Sequence, residues 1–320
     1  MRSRKSIKPK CLVEGATIGL VSPAGPPLRA EKIDEGIQFL QSLGFVVKLG
    51  INARDRNGFL AGNDSARAQD LMRMIVDPEV DLIMAVRGGY GSMRILPLLS
   101  FDLFRQNPKA FLGFSDLTAL HVAIYQATKL ITFHGPVLSA LAGSYNEFAL
   151  NACFSVLMGV DDEFSLCEGY NEKNQSVEVI VPGIVSASLI GGNLSLLAAL
   201  QGTMYQPKFG GSIVYIEEVG EAPYRIDRLL TQLLMSGAFA GVKGIAIGLL
   251  SNCIDPVAET TNEYRQTARD VVIERLAPLK VPMVIGLPFG HVEMNATIPF
   301  GGRGTLDANV GDLIISKAVV

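Results

Sequence analysis

Several residue types that would point to a particular function are scarce or absent in this chain of 320 residues. The sequence has no tryptophan, three histidines and four cysteines. The cysteines form neither a CxxC pair nor a cluster with histidine, which predicts packing thiols and no metal site. They are Cys11, Cys153, Cys167 and Cys253.

A charge excess, an apolar span and an export signal are absent as well. Lys and Arg number 28 and Asp and Glu number 31, and the net charge of -3 offers no positive field to nucleic acid or anionic lipid. No run of about 18 apolar residues could span a membrane. Glu14, Gly15 and Thr17 interrupt the segment after the basic N-terminus. We therefore expect a cytoplasmic protein that binds neither nucleic acid nor membrane.

Motifs for nucleotide cofactors and zinc peptidases are missing too. Gly88, Gly89 and Gly91 follow an apolar run, but their spacing is not GxGxxG, and neither GxxxxGK[ST] nor HExxH occurs. We expect no cofactor, and a nucleotide-dependent oxidoreductase loses support. These glycines would still let backbone amides approach a ligand closely.

Apolar residues make up 48% of the chain, enough at this length for about two domains with sizeable cores. In the first half, short apolar runs alternate with amphipathic helical stretches, which predicts an α/β domain with a Rossmann-like, mostly parallel sheet. The predicted strands are Thr17–Val21, Val46–Leu49, Leu82–Val86, Phe111–Phe114 and Ile131–Phe133, and the predicted helices are Glu31–Leu43, Ser65–Ile75 and Asp116–Thr128.

The polar segment Asp161–Ser176 marks the predicted domain boundary. We expect an N-terminal domain over residues 1–162 and a smaller, mixed α/β, β-rich C-terminal domain over residues 177–320. Glycines among β-forming residues predict hairpins over Thr297–Leu313. The other predicted strands are Val177–Val181, Ser212–Glu217, Gly244–Leu249 and Met283–Ile285, with helices at Tyr224–Leu234 and Glu263–Arg275.

Ser115 is the first candidate catalytic residue. Residues 109–116 read as a buried strand that breaks sharply into a helix, the setting in which nucleophile-elbow serines are displayed. A hydroxyl there lies beside unpaired backbone N–H groups that can stabilise an oxyanion. The alternative is that Ser115 or Asp116 is an ordinary helix N-cap.

A histidine base can only be His121, His134 or His291. His121 has apolar neighbours on a predicted helix, which indicates a packing residue. His134 ends a strand and would line a pocket or bond a turn. His291 follows an apolar strand in a loop, from which it can reach a cleft, although loop histidines are more often structural.

Two consecutive glutamates end another predicted strand. Strand alternation points Glu217 and Glu218 to opposite sides, so one of them can face a cleft and orient a histidine. The alternative is a solvated acidic strand end. The segment 190–195 is either a ligand loop or, as we expect, a turn that caps the next helix.

Together these segments resemble the LD-carboxypeptidase family of serine peptidases, which includes the microcin C immunity peptidases. The similarity extends over nearly the whole chain. The segments that carry it are Ile18–Gly25, Arg87–Gly91, Gly113–Asp116, Gly191–Leu194, Glu217 with Tyr224–Arg228, and Gly286–His291. The family often has Glu-Asp where this chain has Glu217 and Glu218.

The resemblance implies a catalytic triad. Ser115 would be the nucleophile, His291 the general base and then acid, and Glu217 the residue that orients His291. Backbone amides near Gly89 and Asp116 would form an oxyanion hole. The N-terminal domain would thus carry the nucleophile, and the C-terminal domain the Glu and His.

The resemblance also implies a reaction: release of terminal D-Ala from murein tetrapeptide in cytosolic peptidoglycan recycling, by a homodimer. An exopeptidase must bind a free carboxylate, for which Arg87, Arg225 and Arg228 are candidates, the last two also suiting salt bridges. A microcin C-type peptidase that acts on aminoacyl-nucleotide analogues ranks second, because the chain has no tryptophan that could stack on a nucleobase. A catalytically silent binding protein on the same scaffold is the third alternative.

Overall fold

The computed structural model describes residues 5–142, 146–170, 177–255 and 266–320. The strands are β1 Thr17–Val21, β2 Val46–Leu49, β3 Leu82–Ala85, β4 Ala110–Gly113, β5 Thr132–His134, β6 Glu163–Ser165, β7 Glu178–Val181, β8 Ile184–Asn193, β9 Ser212–Val219, β10 Gly244–Ser251, β11 Met283–Ile285, β12 Ile298–Phe300, β13 Arg303–Asp307 and β14 Asp312–Ser316. The α-helices are α1 Glu31–Ser42, α2 Asp64–Val76, α3 Ser92–Ile95, α4 Phe101–Gln106, α5 Thr118–Thr128, α6 Leu138–Leu141, α7 Glu147–Met158, α8 Leu194–Ala199, α9 Pro223–Met235 and α10 Ala268–Leu276.

The chain forms two compact units. The first comprises Met1–Phe164, Ala296–Gly302 and Lys317–Val320, and the second comprises Ser165–Asn295 and Arg303–Ser316. We predicted a single C-terminal segment over residues 177–320 instead. The difference arises because β12 pairs antiparallel with β5 and because the Val320 N–H donates to the Pro9 carbonyl at 3.0 Å. The part of the predicted boundary at residues 171–176 lies outside the described residues.

The first unit contains a six-stranded sheet in the order β12-β5-β4-β3-β1-β2. All of its neighbouring strands except the β12–β5 pair run parallel, as predicted. Alternate strand residues such as Leu20, Met84 and Phe133 are fully buried in a core with residues of α1, α6 and α7. Burial of a side chain of this size contributes about 1.5–3 kcal/mol to stability. The sheet is therefore a stable support for the loops at the carboxyl ends of its strands.

The order of strands in this sheet defines a topological switch point. From β1 the chain moves outward to β2 and then returns to β3 on the other side of β1. Loops that follow β1 and β3 therefore diverge, and the crevice outside the carboxyl ends of these strands is where ligands bind in such sheets. Arg87 follows β3 and Ser115 follows β4 at this same edge.

The second unit contains a mixed eight-stranded sheet in the order β6-β14-β13-β8-β9-β10-β11-β7. Strands β8, β9, β10 and β11 run parallel, whereas β7 and β13 pair antiparallel with their neighbours. The predicted hairpin is present as β13–β14, but the prediction was wrong for β12, which joins the first unit's sheet. Of the predicted helix Glu263–Arg275, residues 263–265 lie outside the described residues, and α10 begins after a capping box at Thr267.

No helix in the described part of the chain combines the length and the apolar character that a membrane crossing requires.

Candidate active site

Ser115 lies where β4 ends and the chain turns towards α5. Its φ angle is 66°, in the left-handed region that residues with a side chain rarely adopt. A short 3-10 turn over Ser115–Leu117 continues directly into α5. An N-cap has extended backbone angles, and the left-handed φ of Ser115 does not fit that conformation. The geometry is that of a strained strand–turn–helix elbow.

The glycine loop after β3 packs directly against this elbow. A Cβ atom added to Gly88 would lie 3.0 Å from the Cβ and 3.3 Å from the Oγ of Ser115. The Gly88 carbonyl accepts the N–H of Gly25 at 2.9 Å, which joins the loops after β1 and β3 at the switch point. A side chain at position 88 would crowd Ser115, and glycine avoids this contact.

The Asp116 side chain is hydrogen-bonded to the start of α3, just after the glycine loop. Its buried carboxylate accepts the Ser92 N–H at 2.7 Å, and the Ser92 hydroxyl donates to the Asp116 carbonyl at 2.5 Å. Burial raises the pKa of the Asp116 carboxyl. The Asp116 carboxylate is therefore held by hydrogen bonds within the first unit.

Arg87 is half-buried beside the loop after β1. Its Nη1 donates to the Pro26 carbonyl at 2.8 Å. The same loop borders a cavity of about 470 Å³ within the first unit. The cavity is lined by Pro26, Pro27, Leu28, Arg29, Ala30, Glu31, Ile33, Arg54 and Arg56. Cationic side chains thus lie along the same sheet edge as Ser115.

Two of the three histidines are buried in the first unit. His121 Nδ1 lies 2.8 Å from the Thr132 hydroxyl, and Nε2 lies 2.7 Å from the Gly113 carbonyl. Burial lowers the pKa of His121 to about 4. His134 is also buried, and its ring meets that of Phe114 edge to face at 5.9 Å. His121 is therefore a packing residue whose ring connects α5 to β4 and β5.

Glu217 and His291 are brought together in the second unit. The fully buried Oε2 of Glu217 accepts a hydrogen bond from His291 Nδ1 at 2.7 Å. Donation from Nδ1 makes Nε2 the basic nitrogen of the neutral ring. About a fifth of the His291 side chain remains exposed, at 21%. The pair can thus present a correctly oriented imidazole to a bound group.

The turn before His291 fixes this pair. Gly290 has a φ angle of 118°, and a Cβ there would lie 2.9 Å from the Cβ of Glu217. Its N–H donates to Asn295 Oδ1 at 3.0 Å. The loop therefore approaches the strand more closely than any other residue type would allow.

Glu218 points to the opposite side of β9, as strand alternation predicts. Its carboxylate accepts the Asn193 amide at 3.0 Å and the N–H and hydroxyl of Ser195 at 2.8 and 2.7 Å. Burial raises the pKa of the Glu218 carboxyl. Both glutamates are buried, so a solvated strand end is the wrong interpretation. Asn193 caps α8 by accepting the Leu196 N–H, as predicted, but the glycines before it are strand residues of β8 that pair with β9 and do not form a turn.

The remaining predicted residues divide between the two units. The first unit groups Ser115, Asp116, Gly89 and Arg87 at one sheet edge, and the second joins Glu217 with His291. Arg225 lies 3.5 Å from the Glu221 carboxylate, and Arg228 lies 5.7 Å from the Tyr224 ring centre. Among the residues that the structure describes, no group of three or more His, Cys, Asp or Glu could hold a metal ion.

Sequence reasoning missed Arg67, whose buried guanidinium bonds both loops at the switch point. A signal for it was present. Arg67 falls on the apolar face of α2 at helical spacing from Leu71 and Met74, where a charged residue needs a specific partner.

An elbow serine at the edge of a parallel sheet and a histidine held by a buried glutamate are the parts from which serine hydrolases are built. Residues 18–135 match the family model described as LD-carboxypeptidase N-terminal domain, and residues 186–306 match the LD-carboxypeptidase C-terminal domain. The chain therefore belongs to the LD-carboxypeptidase family. It is a serine carboxypeptidase.

Named relatives span both units. A probable murein peptide carboxypeptidase of Bacillus subtilis is 36% identical over 312 residues, covering 98% of this chain and 95% of the relative. The structure of muramoyltetrapeptide carboxypeptidase from Oxalobacter formigenes is 28% identical with a TM-score of 0.81, covering 95% of this chain and 100% of the other. The structure of MccF in complex with glutamyl sulfamoyl guanosine is 25% identical with a TM-score of 0.86, covering 98% and 99%.

Proposed function

We propose that this enzyme hydrolyses the L,D-peptide bond of murein tetrapeptide and releases the terminal D-Ala. The observation that carries the proposal is the hydrogen bond from His291 Nδ1 to the buried Glu217, because it prepares an oriented base. The strained backbone at Ser115 and the named murein peptide carboxypeptidases support it as well.

In the proposed reaction, Ser115 Oγ attacks the scissile carbonyl while His291 Nε2 accepts the hydroxyl proton. The imidazolium then donates this proton to the leaving amine of D-Ala, and an acyl-enzyme remains on Ser115. Water deacylates the serine with His291 again as base. Backbone amides near Gly89 and Asp116 stabilise the oxyanion in both steps.

We assign recognition of the substrate carboxylate to Arg87. A guanidinium can bond both oxygens of a carboxylate, and the Pro26 carbonyl already holds this side chain in place. The neighbouring cavity and its arginines offer room and positive charge to the rest of an acidic peptide.

The cellular setting is part of the proposal. Murein tetrapeptide is an intermediate of peptidoglycan recycling, and we place the enzyme in the cytoplasm as a homodimer, as the family resemblance implies. Sedimentation of the purified chain at micromolar concentration tests the dimer directly.

A second candidate substrate is an aminoacyl-nucleotide analogue. The similarity to MccF, whose structure holds glutamyl sulfamoyl guanosine, favours this candidate. The same triad would serve both reactions, and the absence of tryptophan removes the strongest stacking surface for a base.

Assaying both substrates with the purified full chain tests the proposal. We expect release of D-Ala from the tetrapeptide, little release of L-Ala from the matched peptide with an L-residue at its end, and slower cleavage of the nucleotide analogue. Ser115→Ala should lower D-Ala release by at least about 1,000-fold. Equal release of L-Ala would refute the L,D-specificity, and an active Ser115→Ala variant would refute the mechanism.

A further inference from the structure

Arg67 is a fully buried arginine on the apolar face of α2. Its side chain is 0% exposed, and it shares this face with Leu71 and Met74. Burying a guanidinium is costly unless its donors are bonded, so its partners indicate what the residue does.

The partners of Arg67 lie in the two loops at the switch point. Its Nη1 donates to the Pro23 carbonyl at 2.5 Å and to the Gly91 carbonyl at 2.9 Å. Pro23 lies in the loop after β1, and Gly91 lies in the loop after β3. Nη2 pairs with the Asp64 carboxylate at the start of α2. A single nitrogen therefore ties the two loops together, in addition to the Gly25–Gly88 backbone bond.

Gly91 is held from both of its ends. Arg67 bonds its carbonyl, and the Asp116 carboxylate accepts its N–H as well as that of Ser92. The φ angle of Gly91 is 120°, and a Cβ there would lie 3.1 Å from Arg67 Nη1 and would collide with Leu60. The loop between Gly88 and Gly91 is thus fixed at its far end by two oppositely charged side chains.

We infer that Arg67 is a positioning residue for the reaction proposed above, on which this inference rests. Arg67 holds the glycine loop at a set distance from Ser115, so that the Gly89 amide faces the oxyanion as it forms. A misplacement of about 1 Å in such a site can cost about 100-fold in rate. Substrate binding depends less on this distance, so the effect falls on kcat rather than on KM.

The test is the substitution Arg67→Lys in the full chain. Lysine keeps the charge but lacks the planar fork, so it cannot bond both carbonyls and Asp64 as arginine does. We expect kcat for D-Ala release, counted per serine that a fluorophosphonate labels, to fall about 10- to 100-fold with KM little changed. The matched control is Arg73→Lys on the same helix, where the side chain is 50% exposed and pairs with Asp70, and its kcat should not change.

The outcomes separate a positioning role from a merely structural one. A structural role would lower the thermal stability or the number of labelled sites and leave kcat per site unchanged, which would overturn the inference. If Arg67→Lys does not fold, Asp64→Asn replaces it, and we expect a several-fold fall in kcat at unchanged KM. An unchanged kcat in that variant would also overturn the inference.

Failure of the proposed function would look different. If Ser115→Ala kept its activity, the proposed reaction would be wrong, and the inference would fall with it. If Ser115→Ala were inactive while Arg67→Lys matched the wild type in kcat per labelled site, only the inference would be wrong.

Discussion

The two units of this enzyme position their candidate catalytic groups by different physical means. In the first unit the backbone does so, through a φ angle of 66° at Ser115 and through Gly88, where a Cβ would lie in tight contact with the serine. In the second unit side chains do so, through the 2.7 Å hydrogen bond between His291 and the buried Glu217. The first arrangement fails when atoms are added, and the second fails when one charge is removed.

The largest effect is expected from breaking the side-chain arrangement with Glu217→Gln. The glutamine amide cannot stabilise the imidazolium and favours the wrong ring tautomer, so kcat should fall about 1,000- to 10,000-fold. The measurement is the steady-state rate of D-Ala release by the full chain.

Glu218→Gln is the matched control, since it removes a neighbouring buried charge on the other side of β9. It should cost about 1–3 kcal/mol of stability through its unsatisfied partners and leave kcat almost unchanged. Similar losses of kcat in both variants would show that an intact β9, rather than the hydrogen bond between Glu217 and His291, determines kcat.

A smaller effect is expected from breaking the backbone arrangement with Gly88→Ala. The added methyl would lie 3.0 Å from the Cβ of Ser115 and would shift the loop or the serine by a fraction of an ångström, so kcat should fall about 10-fold. The rate is measured per folded molecule.

Gly36→Ala is a control matched for crowding, because its Cβ would lie 2.5 Å from Leu138 in the helical layer. We expect a loss of about 1–3 kcal/mol in stability and an unchanged kcat per folded molecule. If Gly88→Ala likewise lost stability and kept its kcat per folded molecule, the close contact between Gly88 and Ser115 would have no effect on catalysis.

The smallest effect concerns acid stability and distinguishes the units in another way. The pKa of His121 is about 4 in the folded first unit and near 6.5 in the unfolded chain. Between these two pH values the unfolded chain therefore binds more protons at this residue than the folded chain does. Stability from this group is therefore full above pH 6.5 and lost as the pH falls, by about 2 kcal/mol at pH 5. Buried Asp116 and Glu218, whose pKa values are raised, act in the opposite direction.

Urea unfolding at pH 7 and pH 5 measures this difference. His121→Gln removes the titrating group, so its unfolding free energy should fall less between the two pH values than that of the wild type. An identical fall in both proteins would place the acid sensitivity elsewhere.

The parts of the fold that local patterns determine were predictable from the sequence. Strands β1, β2 and β11 have the predicted bounds, because each is a short apolar run bounded by polar or turn-forming residues. The elbow at Ser115 could be anticipated for the same reason, since an apolar strand ends there in a Gly-x-Ser turn.

The rest depends on partners that are distant in the chain. The return of Ile298–Phe300 to the first sheet is decided by pairing with β5, which no local pattern encodes. Glu218 could be placed on the far side of β9, but its partners Asn193 and Ser195 are supplied by β8 and α8. Arg67 was missed because its role appears only once both loops are in place.

Labelling with a fluorophosphonate tests the central claim most directly, because only an activated serine reacts readily with it. Peptide mapping of the labelled full chain should find one modified residue, Ser115, and His291→Ala should suppress the modification. Labelling of a different serine, or undiminished labelling of Ser115 in His291→Ala, would contradict the claim that these two residues act together.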